Sequence, residues 1–357
     1  MTETETETVT PAQPEAASSS VECDKCKRVF KSSHALKVHD GLIHSPTSAY
    51  LVYRRNSLSN GSVDGTVKSD GIRVLPVDSS KFFVDQSKIE RYYEQNGEMK
   101  VIEAHFETGV PLLLVGPKGI GKTLALARFA ADHGCPILQF DCSEDTKKWD
   151  LIGRFVDVGT FELGVMPSAI QVANEVGKAV LVFEELNALQ PAQQKILNQL
   201  LDWRRHVFVP ELNKIYRLND GVKLFIAATM NPSVYGGTFE LNEDLKSRFV
   251  EYSLWYPDQS VERSLVGSRI PKDVLDKLLV LSAETRGGSE ALSYSISPRD
   301  LYLFSEIYPA YVRKFGEKEG LKMAVNTVIV NRYEGEEKST IKARVESVFG
   351  GFGGESQ

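Results

Sequence analysis

An apolar run, Leu112-Leu113-Leu114-Val115, leads straight into Gly116-Pro117-Lys118-Gly119-Ile120-Gly121-Lys122-Thr123. No other stretch constrains the fold as tightly, because a G-x-x-x-x-G-K-T loop after a short apolar strand requires a buried strand, a tight glycine turn and a helix in that order. The helix is written in the next residues, where Leu124, Leu126 and Phe129 form an apolar face. Glycines let successive backbone N–H groups curl around a phosphate, and the helix N-terminus adds positive potential at the same point. Lys122 is placed to reach the outer phosphates of a nucleotide, and the Thr123 hydroxyl to hold Mg²⁺. The whole loop, Gly116 to Thr123, is the expected nucleotide-binding element.

From residue 76 onward, short apolar runs alternate with helical patterns. Strands are expected at 112–115, 137–140, 179–183, 222–228 and 250–255, with helices between most of them. That alternation predicts an α/β domain over 76–257, a parallel sheet with helices on both faces. After Tyr256-Pro257 the strands stop. Helical patterns at about 258–268, 271–285, 298–314, 317–332 and 338–348 predict a helical lid subdomain over 258–349.

The apolar run Ala179 to Phe183 ends in Glu184-Glu185. Hydrolysis of a phosphoanhydride needs one acid to organise Mg²⁺ and another to orient and deprotonate water. Glu184 is assigned to the metal and Glu185 to the water. Aspartate is the usual metal-side acid, and the extra methylene of Glu184 shifts its carboxylate by roughly 1.5 Å, enough to weaken or re-aim coordination. The next apolar strand ends Thr229-Met230-Asn231-Pro232, which puts the Asn231 amide at a strand tip beside the terminal phosphate. Arg248 follows a short helix before the fifth strand, and Arg299 opens a lid helix in Ser297-Pro298-Arg299-Asp300-Leu301.

Taken together, residues 76–345 resemble the AAA+ ATPases, and within them the MoxR-like, dynein-related branch. In that pattern Gly116–Thr123 correspond to Walker A and Val180–Glu185 to Walker B. Asn231 falls on sensor 1, Arg248 on the arginine finger and Arg299 on sensor 2. The stretches 150–154 and 161–164 look like the branch's helix-2 insertion, and 207–210 with 215–218 like its hairpin before sensor 1. Glu185-Leu186-Asn187 matches the branch's acid-apolar-Asn continuation. The resemblance implies a P-loop fold and ATP hydrolysis with Mg²⁺. It also implies a homo-oligomeric ring, a hexamer by family habit, in which Arg248 reaches the neighbour's site and Arg299 couples the lid to the nucleotide.

A second, smaller unit is expected at 21–45. Cys23-x2-Cys26-x12-His39-x4-His44 has the spacing of a C2H2 zinc finger, with Phe30 and Leu36 at the two apolar positions of a ββα core. Taking His39 as the seventh helical position puts Ser32, Ala35 and Val38 where such fingers read bases, and none suits base reading. Lys25, Lys27, Arg28, Lys31 and Lys37 could touch phosphates, but Glu22, Asp24 and Asp40 offset them. The finger therefore reads as a protein adaptor ahead of a nucleic-acid contact.

The remaining segments are less informative. Residues 1–20 alternate Thr and Glu and then run through Pro, Ala and Ser, which predicts a disordered acidic tail. Residues 46–75 read as a linker or poorly ordered arm, and 350–357 as a flexible tail. No run approaches a membrane span, and the first residues lack a secretory pattern, so a cytoplasmic location without membrane contact is expected. Of the four cysteines, Cys135 and Cys142 have no metal spacing and read as ordinary reduced residues. A net charge of −6 argues against a protein-wide polyanion surface. Three functions fit these features: a remodelling or assembly chaperone, a nucleic-acid-processing motor on the same core, and a nucleotide-binding regulator with weak hydrolysis.

Overall fold

The computed structural model describes residues 72–232, 239–287 and 292–350, and the backbone of short strands at 21–22, 29–30 and 68–69. The chain divides into two compact units, Met1–Gly65 and Thr66–Gln357. In the first unit β1 (Val21–Glu22) pairs antiparallel with β2 (Val29–Phe30). The expected zinc ligands Cys23, Cys26, His39 and His44 lie outside the described residues, as do the acidic tail at 1–20, most of the linker at 46–75 and residues 351–357.

The second unit opens with β3 (Lys68–Ser69) and β4 (Ile72–Val74). It continues through α1 (Glu98–Thr108), β5 (Leu112–Val115), α2 (Lys122–Asp132) and β6 (Ile137–Asp141). Next come α3 (Lys148–Ile152), β7 (Gly153–Asp157), β8 (Thr160–Leu163), α4 (Val165–Val176) and β9 (Lys178–Glu184). Then follow α5 (Pro191–Leu201), β10 (His206–Val209), β11 (Lys214–Arg217) and β12 (Lys223–Met230). A single turn, α6 (Glu243–Lys246), precedes β13 (Val250–Ser253). The chain then turns wholly helical in α7 (Gln259–Val266), α8 (Lys272–Gly287), α9 (Pro298–Phe315), α10 (Glu317–Val328) and α11 (Gly335–Phe349).

Five strands form one parallel sheet in the order β13-β5-β12-β9-β6. Their uninterrupted apolar runs follow from burial on both faces. Successive side chains alternate between the faces: Leu112, Leu114, Val180, Val182 and Phe225 pack with α1 and α2, while Leu113, Leu181, Phe183 and Ile226 pack with α4 and α5. Parallel strands all point their carboxyl ends at one edge, so the loops after β5, β9 and β12 meet there. The helices α7 to α11 bury their own core around Leu278, Leu301, Phe304, Val325 and Ile341.

Two features depart from expectation. The end of the 46–75 segment is not a free linker: Ile72–Val74 pairs in parallel with Thr160–Phe161 and antiparallel with Lys68–Ser69, giving a sheet β3-β4-β8-β7. A three-residue strand has too little periodicity to stand out, and it becomes stable only against the β7–β8 hairpin. The helix expected over 317–332 stops at Val328 and resumes as a 3₁₀ turn at Val330–Arg332. No helix among the described residues is long and apolar enough to cross a membrane.

Candidate functional site: a nucleotide cavity at the carboxyl edge of the sheet

The loop after β5 needs glycine for a definite reason. Gly119 has φ +79°, and a Cβ there would collide with the Ser297 hydroxyl that caps α9. The backbone N–H of Arg299 donates to the Gly119 carbonyl at 3.2 Å, so the first turn of α9 rests directly on the phosphate loop. A capping box holds that turn, with the buried Asp300 carboxylate accepting from the Ser297 N–H at 2.9 Å and the Ser297 hydroxyl at 2.6 Å.

Lys122 is buried at the first turn of α2. Its ammonium uses all three donors, on the Gly116 and Pro117 carbonyls at 2.7 and 2.9 Å and on Asn231 Oδ1 at 3.0 Å. Burial lowers its pKa to about 8, and the nearby Arg299 and Lys118 push the same way against Glu185 and Glu184. The Asn231 amide then donates from Nδ2 to Glu185 Oε1 at 3.3 Å. One asparagine thus ties the lysine of the loop to the carboxylate assigned to water.

Glu185 follows β9 in the left-handed region, φ 51° and ψ 50°, which a side-chain-bearing residue adopts only when held. Its N–H donates to the Thr229 hydroxyl at 3.3 Å, and Leu186–Ala188 closes a 3₁₀ turn behind it. Glu184, half-buried, takes the other position: Oε2 accepts from the Thr123 hydroxyl at 2.8 Å and Oε1 from Gln139 Nε2 at 3.3 Å. Its pKa is raised, chiefly by burial and further by Asp141 and Glu185, with the Thr123 bond and Arg299 opposing. The longer glutamate therefore reaches the loop threonine directly.

Whether these residues suit Mg²⁺ can be judged from that pair. A threonine hydroxyl and a carboxylate oxygen 2.8 Å apart are hard oxygen donors converging on one point, the donor set Mg²⁺ prefers alongside water and phosphate oxygens. The raised pKa of Glu184 marks a carboxylate that a dication would relieve. Among the described residues there is no group of three or more His, Cys, Asp or Glu side chains able to hold a metal without phosphate.

These residues border one cavity of about 540 Å³. The structure brings together Lys118, Gly119, Ile120, Gly121, Lys122, Thr123, Glu184, Glu185, Asn231 and Arg299 in its lining. Gly116 and Pro117 take part through their carbonyls. Arg248 is not among them. It lies two residues before β13, and Val250 pairs with Leu112, so Arg248 stands at the amino edge of the sheet, where Nε donates to Asn198 Oδ1 on α5 at 3.1 Å. A four-residue strand, about 13 Å, separates that edge from the phosphate loop.

Sequence reading missed part of the lining. Ile89, Tyr92, Tyr93 and Gln95, which precede α1, border the cavity, with the Gln95 Nε2 donating to the Ile120 carbonyl of the loop at 2.7 Å, and Tyr302 on α9 borders it too. The paired tyrosines before an acid-led helix were the available signal. It also missed Glu262, 1% exposed on α7, which pairs with Arg286 at 2.6 Å while that guanidinium lies over the Tyr256 ring. Cys135 and Cys142 are both buried and free, and burial pushes the Cys135 thiol up to about 11 and Cys142 higher still, as suits inert thiols.

Residues 111–249 match the family described as AAA domain, dynein-related subfamily. Midasin of Dictyostelium discoideum is 27% identical over 264 residues, 67% of this chain and 4% of that protein. Midasin of Giardia intestinalis is 30% identical over 200 residues, 52% of this chain and 4% of its own length. An uncharacterized protein of Staphylococcus haemolyticus is 27% identical over 259 residues, 69% of this chain and 94% of that one. The chain thus spans only a small part of the midasins it matches. A solved structure concerned with katanin self-assembly covers 76% of this chain and 93% of its own at 13% identity, with a TM-score of 0.45, and adds nothing to the assignment.

Proposed function

We propose that this chain, whose residues 111–249 form an AAA+ ATP-hydrolase domain of the dynein-related subfamily, works as a MoxR-like ring that remodels or assembles protein partners in the cytoplasm. The observation that carries the hydrolytic part is the continuous contact set Lys122–Asn231–Glu185, with Thr123–Glu184 beside it. Lys122 and the loop amides hold the phosphates, while Thr123 and Glu184 hold Mg²⁺. Bound Mg²⁺ supplies charge neutralisation at the outer phosphate oxygens. Glu185, fixed by Asn231 and by its own strained backbone, orients water and accepts its proton. Arg299 sits on the phosphate loop through Gly119, so a change at the loop moves α9 and the lid with it.

Arg248 is the reason to propose a ring. Its place at the amino edge keeps it from the site of its own chain, and a second copy can present it to the outer phosphate, where an arginine is worth roughly 10³–10⁵ in rate. The β7–β8 hairpin supports a protein rather than a nucleic-acid partner. Its tip exposes Phe155, Val156 and the 98% exposed Val158, while Arg154 is paired with Glu162 at 3.3 Å. The N-terminal Cys23, Cys26, His39 and His44 form, in this reading, a zinc-held adaptor. The reading as a nucleotide-holding regulator with weak hydrolysis loses its motive, since Glu184 meets Thr123 despite its extra length.

The test is a pull-down with Glu185→Gln protein held in ATP. Stalled assemblies that retain a defined protein partner, released on exchange to ADP, are the expected result. Recovery of this protein alone from every extract defeats the remodelling assignment.

A further inference from the structure

Arg286, at the end of α8, is not among the residues lining the nucleotide cavity, yet its guanidinium joins the two segments that brace the phosphate loop. On one side it lies 4.2 Å from the centre of the Tyr256 ring. Tyr256 stands two residues beyond Leu254, whose N–H donates to the Val115 carbonyl at 2.7 Å and whose own carbonyl leaves no room for a Cβ on Gly116. On the other side Arg286 Nε donates to the Ile296 carbonyl at 2.8 Å. Ile296 leads into Ser297 and Arg299, which rest on Gly119. One planar group thus connects the support of Gly116 to the support of Gly119.

The guanidinium is held where it can do this. Its Nη2 donates to Glu262 Oε1 on α7 at 2.6 Å, with the Glu262 side chain 1% and the Arg286 side chain 11% exposed. A guanidinium can stack, pair and donate at once because its donors lie in one plane, which an ammonium cannot reproduce. Its neighbour Thr285 grips the same stretch: its hydroxyl accepts from the Ile296 N–H at 3.1 Å and its carbonyl from the Ser295 hydroxyl at 3.1 Å. The chain entering α9 is therefore fixed to the end of α8 by three hydrogen bonds before the capping box at Ser297 begins.

We infer that Arg286, paired with Glu262, is the positioning residue for Arg299: it fixes the start of α9 against the segment after β13, so that the Arg299 side chain meets the nucleotide phosphates from one direction. Arg299 lines the cavity, and its charge is close enough to act on both Lys122 and Glu184. A cation contributes to binding in proportion to how well it is held in place, because ordering it at the moment of binding opposes the gain. Without the Arg286 clamp the first turn of α9 keeps its cap and loses its tie to Tyr256, and the Arg299 charge spreads over several placements. This inference rests on the proposal that the cavity holds a nucleotide.

The test uses the full chain and calorimetric titration with a non-hydrolysable ATP analogue, arranged as a double-mutant cycle with Arg299. Two changes remove the clamp without leaving a lone buried charge. Arg286→Lys keeps a cation opposite Glu262 but cannot also stack and donate in a plane, and Glu262→Gln combined with Arg286→Met removes both charges together. Each is expected to weaken binding about fivefold or more when Arg299 is present, and less than about twofold in Arg299→Ala. A pair that only stabilised the lid would weaken both backgrounds alike. Unchanged affinity in both clamp variants, the same loss with and without Arg299, or wild-type affinity in Arg299→Ala alone overturns the positioning role. A wild type that binds no nucleotide removes the nucleotide reading itself, and this inference with it.

Discussion

Burial holds the Lys122 ammonium at a pKa of about 8, so this one charge should govern how nucleotide affinity varies with pH. Phosphates favour the charged form. Below pH 8 the ammonium is already protonated in the empty protein and binding takes up no proton; above it, binding must first recover one. The dissociation constant for ATP is therefore expected to be flat from pH 6.5 to 7.5 and to rise toward about tenfold per unit above pH 8.5. Titration with a fluorescent nucleotide checks this, and Lys122→Arg, which stays charged, should flatten the rise. Glu184 gives a second test at the same scale. Its Oε2 reaches Thr123 at 2.8 Å through the longer side chain, so the shorter aspartate that is usual at this place would fall short by roughly 1.5 Å. Glu184→Asp is expected to raise the Mg²⁺ concentration for half-maximal turnover several-fold; unchanged or tighter Mg²⁺ dependence would show that the backbone, not the side chain, sets the reach.

Among the elements, α9 rests its first turn on the phosphate loop, through the Arg299 N–H on the Gly119 carbonyl. Asp300, 2% exposed, accepts from Ser297 twice and from the Tyr294 hydroxyl at 2.6 Å, and faces Arg332 at 3.6 Å. Asp300→Ala leaves these buried donors unpaired and should cost about 3–5 kcal/mol in urea unfolding. Destabilisation under about 1 kcal/mol would mean that the cap is not what holds the turn on Gly119. This element was legible in advance, because Ser297-Pro298-Arg299-Asp300 carries cap, proline and acid in order. So were the five sheet strands, whose unbroken apolar runs announce burial on both faces, and the loop from Gly116 to Thr123. Other parts were not. The pairing of Ile72–Val74 with Thr160–Phe161 joins segments far apart in sequence, and no local period encodes it. The Tyr92–Gln95 stretch reads as an ordinary polar loop until the Glu98 carboxylate is seen accepting from the Tyr92 hydroxyl and the Gln95 N–H. Arg248 was legible as a candidate, but only the register of β13 on β5 reveals at which edge it stands.

At the scale of the whole molecule, the proposed ring makes one ATP site from two copies of the chain. In that proposal the carboxyl edge of one copy supplies Lys122, Thr123, Glu184, Glu185 and Asn231, and the amino edge of the next supplies Arg248, which the sheet holds apart from them within one chain. A heterologous contact of this kind repeats from copy to copy and closes into a ring when the rotation allows. Two variants separate the two edges. Arg248→Ala keeps an intact cavity but has no arginine to offer, and Glu185→Gln offers the arginine but cannot activate water. Each alone should turn over ATP at least about a hundredfold more slowly than wild type. The decisive measurement is steady-state ATP turnover of the two variants mixed. Recovery of a substantial fraction of wild-type activity in the mixture is predicted, because some contacts then join a sound cavity to a sound arginine. Full activity in Arg248→Ala alone, or no recovery on mixing two inactive variants, would contradict the account.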